Sequence, residues 1–240
     1  MNVAEPEVKK GRARDARRAR EVILDAAEAV FAEHGFDGAR IDAIAKASSY
    51  NTSLLFQYFG DKVGLYSAVL QRFDKELNSL SASTLAPWLA EDALVGQRSG
   101  FRVFIEALVQ TTFDYLIEHP HFQRMLAWEM AEGWQTYLQI APQFMEAESD
   151  PFEKLFAQAR RAGWLRSDFS AVIQMTLVFQ ACQSYLAFLP MYEKLFPGQA
   201  MSSAAALSRA RESLVRWVAG AMMVDLPEAQ AARSETGATV

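Results

Sequence analysis

The side chains best suited to covalent or metal chemistry are few in this chain of 240 residues, which has three His and one Cys. His119 and His121 flank Pro120. This spacing offers two metal ligands, but a zinc site needs three or four and no Cys is close. We therefore interpret the pair as part of a loop and a helix start. Cys182 lies in an apolar segment without a basic neighbour, which favours a buried, unreactive thiol over a nucleophile or redox sensor.

Motifs of common enzyme classes are absent from the sequence. It contains no Walker loop, no Gly-rich dinucleotide turn, no zinc-protease motif and no Gly-x-Ser-x-Gly. We therefore expect a protein that is not an enzyme and uses no cofactor and no metal. A single Cys excludes an internal disulfide, and the first twenty residues lack the apolar core of a secretion signal, so we expect a cytoplasmic location.

Binding chemistry is concentrated in a short uncharged segment, Asn51 to Gly60. On an ideal helix its side chains at 52, 53, 56 and 57 share one arc of about 140°. A glutamine can pair with adenine through two hydrogen bonds, Ser and Thr can bind bases or phosphates, and an apolar ring can contact a thymine methyl group. This pattern favours insertion into the major groove of DNA. The alternative is an ordinary solvent-facing helix, although such helices usually carry charged pairs.

Positive charge is concentrated near the amino terminus. Residues 9–20 contain seven basic side chains and one acidic one, whereas residues 63–240 contain 14 basic and 19 acidic side chains. A basic arm on an acidic body suggests a polyanionic partner at one end of the molecule. A solvated tail without a partner is the other interpretation.

The elements that carry these residues are predicted to be helices. Gly and Pro total only 20 of 240 residues, a shortage of chain breakers that favours long helices. Apolar spacing predicts a first helix over about residues 16–34, a second over 40–47 and a third from the Asn51 cap to Phe59. The three-residue break at 48–50 makes the last two a helix-turn-helix candidate. Asp61 is predicted to begin a fourth helix that reaches about Leu80.

The remainder is also predicted to be helical, so we expect an all-α fold. Pro120 should separate two helices, another should end at Gly163, Asp168 should begin a charge-free helix, and the last helix should run from Ser203 to Met222. We predict loose structure over residues 81–98. The expected domains are a flexible basic arm (1–15), a three-helix DNA-binding domain (16–62), a helical ligand-binding and dimerisation domain (63–226) and a flexible tail (227–240).

One apolar stretch is long enough to be considered as a membrane span. Residues 169–192 carry no Asp, Glu, Lys or Arg, and 24 uncharged residues are long enough to cross a bilayer. The stretch is interrupted by Gln174, Thr176, Gln180, Gln183 and Ser184, and Pro190 closes it. We therefore favour a helix buried on several sides by protein over a membrane span.

Residues 23–70, with the sequence ILDAAEAVFAEHGFDGARIDAIAKASSYNTSLLFQYFGDKVGLYSAVL, closely resemble the DNA-binding region of the TetR family of transcriptional regulators. The features that carry the resemblance are ILDAA and the residues Phe31, Gly35, Ile44, Ala45, Leu55, Tyr58, Phe59, Gly60, Asp61 and Lys62. The chain length and the helical remainder are also similar to those of the family.

This resemblance implies contacts with a DNA operator, with some departures from the family pattern. The turn position usually held by Gly is Ser49, a phosphate-binding Thr is replaced by Leu54, and the common Tyr is replaced by Phe56. Tyr58 stands where His is common, and the basic arm is expected to compensate for the lost hydroxyl groups. The expected DNA contacts are Arg12, Arg14, Arg17, Arg18, Arg40, Thr52, Ser53, Leu54, Phe56, Gln57, Tyr58 and Lys62.

The resemblance also implies a homodimer built by the last two helices. The sequence supports this independently, because a charge-free helix needs burial on more faces than its own domain easily supplies. On the last helix a narrow apolar seam has spacing suited to helix pairing, at Leu207, Ala210, Leu214, Val218 and Ala221. We expect an intersubunit four-helix bundle and a palindromic operator with half-sites about 34 Å or more apart. The sequence indicates no partner for Arg211, which lies on the seam side.

Family members generally act as repressors released by a small ligand in the larger domain, so a small-molecule effector is expected. Nine aromatic side chains could line an apolar pocket or simply fill a core: Phe101, Phe104, Phe113, Trp128, Trp134, Tyr137, Phe144, Phe179 and Tyr185. The fourth helix is expected to transmit the conformational change from the ligand-binding domain to the DNA-binding domain. The competing hypothesis is a helical small-molecule-binding or partner-binding protein without specific DNA affinity, which the missing hydroxyls at Leu54 and Phe56 keep open.

Overall fold

The computed structural model describes residues 5–90, 97–140, 151–166 and 170–224. Within these ranges the chain forms ten helices and no strand, and one isolated antiparallel bridge joins Leu165 to Met223. The predicted all-α fold is confirmed. The helices are α1 (Glu5–Gly38), α2 (Ile41–Ser48), α3 (Thr52–Phe59), α4 (Lys62–Ala90), α5 (Arg98–Glu118), α6 (Pro120–Ala131), α7 (Gln135–Ile140), α8 (Pro151–Arg161), α9 (Ala171–Leu195) and α10 (Ala204–Met222).

The first helix begins earlier than the sequence predicted. The expected start at Ala16 is wrong, because α1 begins at Glu5 and the basic segment of residues 5–15 forms part of it. Ala, Arg, Lys and Glu are strong helix formers, and they extend the helix through this segment. The expected flexible arm is therefore helical from residue 5 onward. Near its other end α1 kinks at Gly35, which has φ 70°.

The second and third helices agree with the prediction to within one residue. The Asn51 side chain accepts a hydrogen bond from the Leu54 N–H at 2.8 Å, which caps α3 as expected. The Asp61 carboxylate accepts from the Gly64 N–H at 2.7 Å and begins α4. The loose structure predicted over residues 81–98 is wrong for 81–90, which continue α4. Residues 91–96 and the predicted tail at 227–240 lie outside the described residues.

The chain divides into two compact units. Unit 1 comprises residues 1–79 and 119–146, and unit 2 comprises residues 80–118 and 147–240. The boundary predicted at residue 62 is therefore misplaced, since the first half of α4 and all of α6 and α7 belong with α1 to α3. The physical reason is a shared core. Tyr66 and Phe73 of α4 and Met125 of α6 are buried in one cluster with Ile23 and Phe31 of α1.

Unit 2 is built on α5, which packs against α9 and α10. Its core contains the fully buried rings of Phe101, Phe104 and Phe156. Helix α6 begins at Pro120 and α10 begins next to Ser203, as predicted, and the Ser203 side chain caps α10. Residues 172–179 form part of α9. The predicted start of this charge-free helix at Asp168 lies outside the described residues.

The charge-free helix is less buried than we predicted. Among the described residues, α9 is the one helix long and apolar enough to cross a membrane, and 28% of that apolar window is buried. Gln174, Val178, Cys182 and Leu186 face the interior of unit 2. The opposite face remains apolar and exposed, so the burial expected on several sides is not complete within one chain.

Candidate nucleic-acid interface

Helix α3 presents the uncharged face that its sequence predicted. Leu55 and Phe59 are buried in the core of unit 1 and fix the helix to α1, α2 and α4. Ser53, Phe56 and Gln57 are exposed on the other side, and Thr52 is half-buried. Because the buried and exposed side chains alternate with helical spacing, the core holds α3 in one rotational setting. The structure therefore brings the four predicted groove-facing residues together on an outer surface.

Leu54 and Tyr58 occupy a different position from these four. Both are partly buried and pack against the core of unit 1. Their packing supports α3, and their predicted contacts with DNA remain predictions. The backbone carbonyl of Tyr58 accepts a hydrogen bond from Arg20 Nη1 at 3.2 Å.

Arg20 also contacts the end of α3 through its guanidinium carbon, which lies 4.6 Å from the centre of the Phe59 ring. Sequence reasoning missed this role, although Arg20 is the last residue of the basic run. The contact joins α1 to the carboxyl end of α3. Such a cation–π pair at an exposed site is worth about 0.5–1 kcal/mol.

The turn between α2 and α3 depends on a residue with positive φ. Ser49 has φ 60° and ψ 22°, in the left-handed region that glycine usually occupies. In this conformation the Tyr50 N–H donates to the Ala45 carbonyl at 3.1 Å. The half-buried Tyr50 ring then packs against the core before Asn51 caps α3. Ser49 thus adopts the turn without the glycine, at a conformational cost.

The basic candidates differ in their surroundings. Arg14, Arg17, Arg18 and Arg40 are exposed, whereas the side chain of Arg12 lies outside the described residues. Lys62 is half-buried, and its Nζ donates to the Asp37 carbonyl at 3.2 Å and lies 4.7 Å from the centre of the Phe36 ring. Lys62 therefore joins the start of α4 to the end of α1.

Unit 1 also contains a buried acidic group that the sequence did not single out. Glu129 of α6 accepts hydrogen bonds from the Tyr66 hydroxyl at 2.8 Å and from the Tyr137 N–H at 3.0 Å. Burial, followed by the hydrogen bond to Glu129, raises the pKa of Tyr66 well above its ordinary value. Helices α4, α6 and α7 are thereby joined at one point. No spacing rule links residues 66 and 129, so the sequence carries no local signal for this pair.

An ionic cluster joins α1, α4 and α6 on the surface of unit 1. Arg72 of α4 pairs with Asp25 at 2.6 Å and with Glu28, both on α1. His121 Nδ1 lies 3.0 Å from the other Glu28 oxygen. In the part of the chain that the structure describes, no group of three or more His, Cys, Asp or Glu could hold a metal ion. His121 is thus a helix-start residue within an ion-pair cluster.

Comparisons with known proteins agree with the helical arrangement described above. Residues 23–69 match the profile for bacterial regulatory proteins of the tetR family, and residues 102–218 match a tetracyclin repressor-like C-terminal domain. The chain is 30% identical over 165 residues to the HTH-type transcriptional activator FasR of Mycolicibacterium smegmatis, which covers 69% of this chain and 68% of FasR. The chain belongs to the TetR family.

This TetR-family chain is also similar to a second relative and to a solved structure. It is 35% identical over 120 residues to the HTH-type transcriptional repressor SCO4008 of Streptomyces coelicolor, which covers 50% of the chain and 54% of SCO4008. The chain thus spans about half the length of that relative. A crystal structure of the transcriptional regulator SCO4942 from the same species aligns over 85% of this chain and 98% of its own, with a TM-score of 0.56 and 24% identity. This second likeness concerns the fold.

The nine aromatic candidates for a ligand pocket belong to different environments in this TetR-family chain. Trp128, Trp134 and Tyr137 lie in unit 1, and the Trp134 and Tyr137 rings are 5.7 Å apart. The Trp128 Nε1 donates to the Ala32 carbonyl at 3.3 Å, and its ring packs so closely on Gly35 that a Cβ there would lie 3.0 Å away. Trp128 is therefore a structural residue at the α1 kink.

The remaining candidates that the structure describes lie in unit 2. Phe101, Phe104 and Phe113 are fully buried, and Phe101 packs edge to face on Phe156 at 5.6 Å. These rings fill the core, which is the alternative that the sequence left open. Tyr185 and Phe179 are half-buried, and Phe144 lies outside the described residues.

The residues of the predicted seam on α10 differ in their surroundings. Leu207 is half-buried and lines a pocket of about 230 Å³ against α5, together with Phe113 and Arg211. Arg211, for which the sequence indicated no partner, pairs with Asp114 of α5 at 2.6 Å. Ala210 and Leu214 are half-buried and Ala221 is exposed, whereas Val218 is buried.

Trp217 is the principal residue that the seam prediction missed. Its side chain is 65% exposed and borders a groove of about 500 Å³ between α9 and α10, whose lining includes Leu177, Ala181 and Ala221. Trp217 lies three residues after Leu214, a helical spacing that could have placed it beside the seam. The groove and the exposed Leu177 and Trp217 that border it form an apolar surface, which we call the α9–α10 face.

Cys182 behaves as its sequence context indicated. The thiol is buried, and its Sγ lies 3.8 Å from the Val109 carbonyl oxygen. Burial raises the pKa of Cys182 to about 12, with a smaller contribution from Asp114. The thiolate is therefore disfavoured near neutral pH, and the predicted burial of the thiol is confirmed.

Proposed function

We propose that this TetR-family chain is a homodimeric transcriptional regulator that binds a palindromic operator through α3 and responds to a small apolar or aromatic ligand. The observation that carries the proposal is the exposed, uncharged face of α3, held by Leu55 and Phe59 in the core of unit 1. A rigid helix with short polar side chains can approach base edges without displacing its own ion pairs.

Base recognition would fall to Gln57, with Ser53 and Thr52 as secondary contacts. A glutamine side chain can donate to and accept from adenine N7 and N6 in the major groove. The exposed Arg14, Arg17 and Arg18 would bind phosphates and so supply affinity that does not depend on sequence. The helical path of residues 5–15 supports placing these charges along one extension of α1 rather than on a free arm.

The α9–α10 face supports a homodimer. Leu177 is 55% exposed and Trp217 is 65% exposed, and large apolar side chains concentrated on one surface mark an interaction site. A second copy of the same face would cover them by two-fold symmetry. Such a dimer would carry two α3 helices, and the operator would contain two half-sites separated by about 34 Å or a longer multiple.

Ligand control requires that the ligand bind one conformation of the dimer better than the other. Helix α4 supports a role in this coupling, because one continuous helix from Lys62 to Ala90 belongs to unit 1 in its first part and to unit 2 in its last. We infer repression as the output, which is also the activity named for SCO4008. FasR is named an activator, and a promoter fusion measured with and without the chain distinguishes the two outputs.

The proposal is tested by selecting bound duplexes from random DNA and titrating the selected duplex by fluorescence anisotropy. Gln57→Ala should weaken binding by about 1–3 kcal/mol and relax the preference at one base pair of each half-site. Gln110→Ala is the matched control, because Gln110 is also an exposed helical glutamine, on α5 of unit 2, and this variant should bind as the parent does. An unchanged sequence preference in Gln57→Ala would contradict the proposed role of α3.

A second function is supported by two residues of α3. Leu54 and Phe56 carry no hydroxyl group and cannot donate to phosphates, which weakens backbone binding relative to the family pattern. The competing proposal is a helical small-molecule-binding or partner-binding protein without specific DNA affinity. If selection yields no enriched duplex while the chain is folded and dimeric, this second function replaces the first.

A further inference from the structure

The carboxyl end of α3 is completed by a side chain from another helix. The last carbonyls of a helix have no partner within it and carry a partial negative charge. In this turn the Gly60 N–H donates to the Phe56 carbonyl at 2.8 Å. The Tyr58 carbonyl accepts a hydrogen bond at 3.2 Å from Arg20 of α1, which lies 38 positions earlier in the chain. Arg20 therefore acts as a cap supplied from outside α3.

The chemistry of Arg20 suits this position. Helix α3 has eight residues and no basic residue in its last turn, whereas a cation near the carboxyl end stabilises a helix. The Arg20 guanidinium supplies that charge, and it also lies 4.6 Å from the centre of the Phe59 ring. A helix this short depends on contacts with the rest of the protein. The two contacts of Arg20 therefore restrain the end of α3 that directly follows Gln57.

We propose that Arg20 is a positioning residue for sequence-specific DNA binding, which holds the carboxyl end of α3 in place and does not itself bind phosphate. This inference rests on the proposed function, because it assumes that α3 contacts base edges. Arg20 is exposed, as Arg17 and Arg18 are, but its guanidinium is already directed at α3. It should therefore affect which duplexes are bound and leave the number of phosphate contacts unchanged.

The first measurement uses the free protein. Opening of the last turn of α3 breaks both contacts of Arg20, each of which corresponds to a factor of about two to five at an exposed site. Arg20→Met keeps an unbranched side chain but loses the donor and the charge, so the Gly60 amide should exchange with deuterium about fivefold faster, measured by NMR. Arg18→Met is the same change two residues earlier on α1 and should leave this rate unchanged. Arg20→Lys keeps the charge and should restore most of the protection.

The second measurement uses the selected duplex and a scrambled duplex of equal length, titrated by anisotropy at several salt concentrations. Loosening the end of α3 weakens contacts with bases and leaves contacts with phosphates in place. Arg20→Met should bind the selected duplex about fivefold more weakly, because fewer molecules hold α3 in its binding position. It should bind the scrambled duplex as the parent does and keep the parent's salt dependence. Arg18→Met should weaken binding to both duplexes and flatten the salt dependence by about one phosphate per subunit.

The outcomes separate this inference from the proposed function. Faster exchange of Gly60 in Arg20→Met, together with a loss confined to the selected duplex, supports the positioning role. An unchanged exchange rate overturns it, and so does an equal loss on both duplexes with a flatter salt dependence, which would make Arg20 a phosphate contact. In either case the parent still prefers the selected duplex and the proposed function stands. If the parent prefers no duplex, the proposed function fails and this inference fails with it. Thermal unfolding confirms that the variants are folded.

Discussion

The Tyr66 hydroxyl donates a 2.8 Å hydrogen bond to Glu129, and both side chains are only 1% exposed. The second carboxylate oxygen of Glu129 accepts from the Tyr137 N–H at 3.0 Å. A buried carboxylate is costly unless its oxygens are hydrogen-bonded. The pair therefore ties α4, which begins immediately after the candidate DNA-binding helix, to α6 and α7 of the same unit.

Removing the Tyr66 hydroxyl should destabilise the protein. Tyr66→Phe leaves one oxygen of the buried Glu129 without its donor, at an expected cost of about 1–3 kcal/mol in the free energy of unfolding. Tyr50→Phe is the control, because it removes the hydroxyl of a half-buried tyrosine in the same unit. Urea denaturation measures both. A Tyr66→Phe protein as stable as its parent would show that the hydrogen bond contributes nothing.

The same pair predicts a pH dependence at alkaline pH. Burial and Glu129 raise the pKa of Tyr66 above its ordinary value near 10. The folded state then holds the proton more tightly than the unfolded state, so its stability contribution is complete below about pH 10 and is lost as pH rises further. Each such group lowers the free energy of unfolding by about 1.4 kcal/mol per pH unit in that range.

Measuring the free energy of unfolding between pH 9 and 11 tests whether it falls as pH rises. Tyr66→Phe should lose stability less steeply than the parent over that range. Part of the slope should persist, because burial also raises the pKa of Tyr137 and of Tyr185. Equal slopes in the parent and the variant would contradict the raised pKa of Tyr66.

Ser49 offers a stabilising substitution in the helix-turn-helix turn. Its positive φ of 60° costs a residue with a Cβ about 1 kcal/mol. Ser49→Gly should therefore raise the free energy of unfolding by a comparable amount, measured by urea denaturation. Ser49→Ala is the control, since it keeps the Cβ and should give no gain. A Ser49→Gly protein less stable than its parent would show that the turn is not strained.

These residues show where sequence reasoning succeeds. The outer face of α3 was predictable because its four residues and the buried Leu55 lie within a single short helix, where spacing alone decides orientation. The Asn51 cap was predictable for the same reason, since capping is a local interaction.

Other features depend on distant parts of the chain. The Tyr66–Glu129 pair joins residues 63 positions apart, and the unit boundary follows from the packing of α6 on α1. The predicted seam on α10 did not include the exposed Trp217, because which side of α10 is exposed depends on the face that α5 covers. Residues 5–15 are helical because their side chains have high helix propensity, which a count of charges does not show.

A charge introduced on the α9–α10 face should disrupt the proposed dimer. Trp217→Glu places a carboxylate on the proposed dimer surface, where it would lie without a partner, and it should give a monomer at micromolar concentration. Ala205→Glu introduces the same side chain at another exposed position of α10 and should leave the dimer intact. Analytical ultracentrifugation measures both. A dimeric Trp217→Glu protein would place the interface elsewhere.

Protection of guanine N7 from methylation tests most directly whether α3 enters the major groove, because N7 is exposed only there. With the selected duplex, the parent should protect two clusters of guanines about 10 base pairs, or a longer multiple, apart. Gln57→Ala should need a higher protein concentration to give the same protection of both clusters. A bound duplex whose N7 atoms all remain reactive would contradict the account.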